Sequence, residues 1–470
     1  MSRQILITFL FFIYINSFAQ KDSLIVLHLD DFLEIVVKSH PLVKKAKLIE
    51  RKGDFNLMRS RGGFDPSLYN IFNQKNFEGK NYYNLLNGGL KIPTWYGIEG
   101  KINFNNTSGI FLNPENNTPT DGLLSAGLSI ALGKGLFMDK RRKALQTGKI
   151  FEQLSEIQQF IAINDILYDA TKTYWDWVIA YNHLKIYKNS IELAQLRFNG
   201  VKKSFEQGAE PAIDTLEAYI QLQNRQFSFN EAQLELLQSQ LKLSNYLWTE
   251  NLAPLEITNS VTAPEILDEF HNYIKLDHDI EIYNTFIIEN HPVYKSYDMK
   301  LNSLEIERKY YAEALKPKLN LNYNFLTQSL ISSPINNFSV NNYKLGIEFG
   351  MPLLYRAQRG AYKLSKIKII ETEYTQKQKL REIQNKVAYY FSEIKNLEIQ
   401  EKIFTKNTVN YETLLNAEKR KFSIGESSLF LINSRENKVI SSQIKLIDLR
   451  GKYQKSISSL VYATGNLLIK

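Results

Sequence analysis

Two carboxylates, Asp214 and Glu217, stand just past the stretch Gly208-Ala209-Glu210-Pro211. On a helix, residues three apart share a face. Copies of such a pair gathered by symmetry would favour cations. Acids near a helix N-terminus are also stabilised by the macrodipole with no further role, and both readings stand at this point. His271 and His278, near Asp268, Glu269 and Asp277, form one other loose cluster. Their spacing matches no metal signature, and His28, His40, His183 and His291 are scattered. No Gly-rich phosphate loop or nucleophile motif occurs. The absence of Cys excludes disulfides, thiolate metal sites and a Cys nucleophile. Neither catalysis nor a cofactor is expected.

The elements that would carry these residues follow from the rest of the 470-residue chain. Arg3, the apolar run Ile5 to Ile15, and Ser17-Phe18-Ala19 have the layout of a secretory signal peptide over 1–19, with Gln20 as the mature N-terminus. The run is too short to span a bilayer as a helix. Strands of alternating character could still form a membrane barrel without a hydropathy peak. The net charge of +9 is spread through a Lys-rich composition rather than gathered in a patch, so no nucleic-acid partner is expected.

The chain reads as an internal duplication. Ser39-His40-Pro41-Leu42-Val43-Lys44 resembles Asn290-His291-Pro292-Val293-Tyr294-Lys295. Phe205-Glu206-Gln207-Gly208 resembles Phe422-Ser423-Ile424-Gly425, and Gly127-Leu128-Ser129-Ile130 resembles Gly346-Ile347-Glu348-Phe349. The copies keep their order, with about 32 extra residues in the first between His40 and Gly127. Residues 20–252 form the first repeat and 253–470 the second, cut in the Pro-bearing stretch Thr249 to Pro264.

Each repeat predicts a leading helix near its His-Pro pair, running to about Arg61 in the first and over about 280–315 in the second. A zone rich in Tyr, Phe, Asn and Gly follows, at about 64–132 and 319–351. In the second repeat Leu319, Leu321, Tyr323 and Phe325 alternate with polar residues, as a two-faced strand does. The first zone has room for four strands. Long helical hairpins then span about 139–248 and 356–468. The ladder Tyr174, Trp177, Tyr181, Leu184, Tyr187 and Ile191 steps by threes and fours, a coiled-coil seam about 100 Å long with its continuation. Gly208 and Gly425 suit the turns that end the first arms.

This organisation resembles the TolC-like outer membrane efflux protein family over essentially the whole mature chain. The sharpest local match is the turn from Gly208 through Pro211, Asp214, Leu216 and Glu217 to Ala218. The second turn, Gly425 to Ser434, keeps the Gly and the spacing but has Leu431 and Ser434 where the acids would be. The resemblance implies a mainly α fold with a membrane β-barrel: a homotrimer sharing a twelve-stranded barrel, with two strands per repeat, and a periplasmic coiled-coil tunnel. It implies a passive exit duct in the outer membrane for tripartite efflux or type I secretion, working with a periplasmic adaptor and an inner-membrane pump. Asp214 and Glu217 become candidates for a charged gate, although the gate acids of the best-studied relatives lie in the second repeat. Phe205, Gly208, Ala209, Glu210, Phe422, Gly425, Glu426 and Ser427 become candidates for adaptor docking. Trp95, Tyr96, Tyr82 and Tyr83 suit an aromatic girdle. The slightly favoured rival makes part of the extra segment a strand pair below the membrane or a plug-like loop. A periplasmic coiled-coil scaffold or adaptor without a barrel is the alternative function.

Overall fold

The computed structural model describes residues 25–258, 260–266, 279–328 and 339–466. The signal-peptide segment, the His271/His278 cluster, the turn around Pro334 and the last four residues lie outside them. In chain order the elements are β1 (Ile25–Val26), α1 (Leu29–Ser39), α2 (Pro41–Arg61), β2 (Ser67–Phe77), β3 (Lys80–Pro93), β4 (Ile98–Ser108), β5 (Leu123–Ala131), α3 (Lys140–Glu206), α4 (Ala212–Ser244), β6 (Val261–Thr262), α5 (Ile280–Asn290), α6 (Pro292–Glu313), β7 (Lys318–Thr327), β8 (Tyr343–Gly350), α7 (Arg356–Ser423) and α8 (Leu429–Ala463). Among the described residues no helix is long and apolar enough to cross a membrane.

The chain divides into two compact units. One comprises Val37–Asp169, Ile274–Asn396 and the segment from Ser456, and it holds the six-stranded sheet β2-β3-β4-β5-β7-β8, antiparallel throughout. The expected two strands per repeat do not hold for the first, which supplies four. The first repeat thus contributes one strand pair more than the second to the sheet. β3 and β4 are each hydrogen-bonded on both sides, so they are neither a plug nor a separate layer.

Register gives this sheet two unlike faces, because residues directly opposite one another share a side. Leu68↔Leu90↔Ile102↔Ala126↔Phe325↔Tyr343 runs across one face, as does Ile98↔Ile130↔Leu321↔Ile347. Lys91↔Lys101 and Ser129↔Asn322 lie on the other, with Asn103, Asn320, Asn324, Lys344 and Glu348. The apolar face is largely uncovered, with Leu68, Phe72, Leu128, Ile347 and Phe349 all exposed. The polar face is knit by its own side chains: the Tyr69 hydroxyl donates to Asn103 Oδ1 at 2.5 Å.

In the same unit the leading helix α2 lies close on α3. A side chain on Gly53 would come within 2.9 Å of Ser155 Cβ, and one on Gly148 within 2.6 Å of Ser60 Oγ, so both glycines permit the approach. The leading segments are split at the His-Pro pairs. His40 and His291 are buried N-caps of α2 and α6, and each Nδ1 accepts the N–H two residues on, at 3.3 and 3.2 Å. The break in the second repeat, read from sequence as one continuous helix, follows from the extended backbone of that cap.

The other unit comprises the chain up to Val36, Ala170–Tyr273 and Leu397–Lys455. Its core is aromatic. Tyr174 stacks on Phe32 at 5.5 Å, meets Trp177 edge-on at 5.8 Å and donates its hydroxyl to the Leu27 carbonyl at 2.8 Å. Trp175 and Trp177 are buried, the role their places in the coiled-coil seam imply. β1 pairs in parallel with β6, tying the described N-terminus to the linker between repeats.

Candidate functional site

The two hairpin turns are built alike, from local rules. After α3, the Ala209 N–H donates to Ser204 O at 2.9 Å and the Gly208 N–H to Phe205 O at 2.9 Å. After α7, the Glu426 N–H donates to Lys421 O at 2.9 Å and the Gly425 N–H to Phe422 O at 3.0 Å. These are paired Schellman caps, with glycine in the left-handed conformation at φ 76° and 80°. Nothing lies within 4 Å of where a Cβ on either glycine would sit. Gly208→Ala is therefore expected to cost about 1–2 kcal/mol through backbone conformation alone. Denaturant unfolding checks this, and Gly208→Asn should lose less. Pro211 is the N-cap of α4, one residue before the helix proper.

Asp214 and Glu217 are part-buried in the first turns of α4, but the structure gives them different company. Asp214 sits beside Glu210: partial burial first, then the hydrogen bond and charge of Asp214, push the Glu210 carboxyl above its ordinary value. Glu217 Oε1 accepts from Asn433 Nδ2 at 3.1 Å. Asn433 Oδ1 in turn accepts from Arg197 Nη1 at 2.9 Å, and Arg197 forks onto both oxygens of buried Glu436 at 2.7 and 2.9 Å. Arg225 Nη2 donates to Asn437 Oδ1 next door. A polar network thus links the α3–α4 hairpin to α8, joining the repeats where their turns lie.

The docking candidates also divide. Phe205, Gly208, Ala209, Gly425 and Glu426 are exposed. Phe422, the repeat partner of Phe205, instead packs with Tyr411 onto the cluster of Leu415, Ile432 and Val439. Ser427 donates to Glu418 Oε1 at 2.6 Å, and that bond, aided by Arg435, holds Glu418 below the usual carboxylate range. Around the turns Ile213, Leu216, Ile424 and Phe430 stand exposed.

Residues 288–466, the bulk of the second repeat, match the family model described as outer membrane efflux protein. That match lies within the second repeat, and the family it names is the outer membrane efflux protein family. It is a family of channels rather than enzymes. The sequence matches no curated relative. Solved structures share the fold of this chain at low identity. The Campylobacter jejuni CmeC outer membrane channel is 16% identical, with a TM-score of 0.65 over 93% of this chain and 85% of its own. The Vibrio cholerae outer membrane protein VceC is 11% identical, with a TM-score of 0.64 over 93% of this chain and 96% of its own. The open-state Neisseria gonorrhoeae MtrE outer membrane channel is 13% identical, with a TM-score of 0.64 over 94% of this chain and 89% of its own.

Sequence reasoning missed Arg197, Arg225, Asn433, Glu436 and Asn437. Arg197 and Asn433 are 236 residues apart, and no local pattern signals their meeting. The Glu210–Asp214 pairing does not follow from helical spacing, because Glu210 precedes the extended N-cap Pro211.

Proposed function

We propose that three copies of this chain form an outer-membrane duct with a periplasmic tunnel. It gives passive exit to cargo delivered by an inner-membrane pump and a periplasmic adaptor. The observation that carries the reading is the two-faced sheet joined to duplicated helical hairpins. One face offers apolar side chains to lipid and the other offers Asn, Ser, Lys and Glu to water, as a barrel wall requires. A coiled-coil scaffold has no use for such a face. The 14 residues of β3 fit a tilted membrane strand, reaching about 35 Å along the bilayer normal at a tilt of about 40°. Tyr82, against Phe77 and Phe111, marks one end of that strand, and the β3–β4 turn with exposed Trp95 and Tyr96 follows the other. These supply the two aromatic girdles.

The hairpin turns form the periplasmic mouth. Glu210, Asp214 and Glu217 ring it with negative charge, and the exposed apolar residues beside them receive the adaptor. Imaging of protein extracted by detergent from outer-membrane fractions tests the reading: a hollow threefold cylinder is expected, and a rod that is soluble without detergent overturns it. For the gate, Asp214→Asn with Glu217→Gln should lower the cation-to-anion permeability ratio in planar bilayers about twofold or more. Unchanged conductance and selectivity would remove these two residues from the gate.

A further inference from the structure

Six strands cannot close on themselves, since small barrels begin at about eight. Among the described residues β2 and β8 each have a hydrogen-bonding neighbour on one side only, leaving two open edges. In lipid an open edge is not tolerated, because nothing there satisfies its N–H and C=O groups. The meander makes the two edges complementary: β2 leads away from the leading helix, and five antiparallel steps later β8 runs the opposite way. When copies are related by rotation, β8 of one chain therefore meets β2 of the next antiparallel, and the ring closes without a polarity clash.

The extra pair β3–β4 carries the same division of faces as its neighbours. Leu86, Leu90 and Ile92 on β3, with Ile98, Ile102 and Phe104 on β4, continue the apolar face from β2 toward β8, with Asn70, Asn84 and Asn106 also on that side. Lys91, Glu99, Lys101 and Asn103 continue the polar one. A pair projecting into the lumen or lying under the membrane would have no reason to keep that division in register with the rest of the wall. We infer that all six strands of each chain stand in the membrane wall, so that three copies joined β8 to β2 close an eighteen-stranded barrel.

This inference rests on the trimeric duct proposed above and deepens it. Diameter grows with strand number, so the backbone cylinder is about 36 Å across, where twelve strands at the same tilt give about 24 Å. The outer opening thus admits a wider object than a twelve-stranded relative would.

The chain lacks Cys, so introduced pairs report cleanly. A panel combines Leu68→Cys, Asn70→Cys or Phe72→Cys on β2 with Leu345→Cys or Ile347→Cys on β8, oxidised in native outer membranes. The expected result is a ladder of linked chains ending at three, from the best-registered combination. The control, Ile102→Cys on β4 with Ile347→Cys, should give none. Imaging in nanodiscs should count eighteen strands around a threefold axis. Links through β4, or a threefold ring of twelve strands with β2 and β3 outside the wall, would overturn the inference while sparing the duct. Absence of any closed ring or conductance would instead sink the duct.

Discussion

Arg450→Met is expected to destabilise the protein by about 3–5 kcal/mol, the range for breaking a buried ion pair from one side. Arg450 lies on α8, and its side chain is 9% exposed. Its Nε and Nη2 donate to Glu401 Oε1 at 3.0 and 2.8 Å, and its Nη1 donates to the Ile266 carbonyl at 3.0 Å. One guanidinium thus holds α7, α8 and the linker between the repeats. The Thr405 hydroxyl also donates to Glu401 Oε1, at 2.9 Å, but a neutral donor cannot balance the charge. Once the guanidinium is gone, the part-buried carboxylate and the buried Ile266 carbonyl are left short of partners, which is where most of the cost arises. The loss should appear in denaturant unfolding followed by far-ultraviolet circular dichroism. Glu401→Leu added to Arg450→Met should recover most of it, since an apolar pair of similar volume needs no compensation. If the double variant is as unstable as the single one, the stranded charge is not the cause.

The parts of this fold written in local rules were legible in the sequence. Gly208 and Gly425 announce their turns because only a residue free of a Cβ adopts positive φ at no cost. The alternation through Leu319 to Phe325 announces a two-faced strand, and the same alternation from Ile98 to Asn105 marks β4 as another. The count of two strands per repeat came from the family resemblance, whereas the residues of the first zone left room for the four strands it forms. The segment that breaks the symmetry obeys the same period-two rule as the strands around it. Long-range meetings were not legible. Phe205 and Phe422 occupy equal places in the repeat, yet one is exposed and the other packs on Leu415 and Ile432. The gate candidates were found by spacing, whereas the Arg197 network that holds Glu217 depends on how α3, α4 and α8 come together. The His-Pro pairs gave the helix starts but hid the imidazoles' work, because the partners of His291 come from the far end of the chain.

Those partners make His291 the residue through which mild acid should act. Its Nδ1 must be unprotonated to accept the Val293 N–H and cap α6. On its other side the ring bonds the Ala463 backbone, and Gly465, in the turn that ends α8, closes over His291 and Pro292. Lys379, Lys386, Glu382 and Asp165 line the adjoining cavity. Burial first, then the Lys379 charge, outweighs the Ala463 bond and lowers the pKa of His291 from 6.5 to about 4. Between those values the unfolded chain binds a proton that the folded chain refuses, so stability falls as pH falls. The contribution is full above about pH 6.5 and gone below about pH 4, and a shift of that size corresponds to about 3 kcal/mol. His291→Asn keeps an N-cap acceptor without a titrating group. Its stability should therefore vary less across this window than that of the unsubstituted protein, measured as unfolding midpoints in matched buffers. The two curves should lie closest above about pH 6.5 and separate toward pH 4. A variant that loses stability with acid as steeply as the unsubstituted protein would move the acid sensitivity elsewhere in the chain.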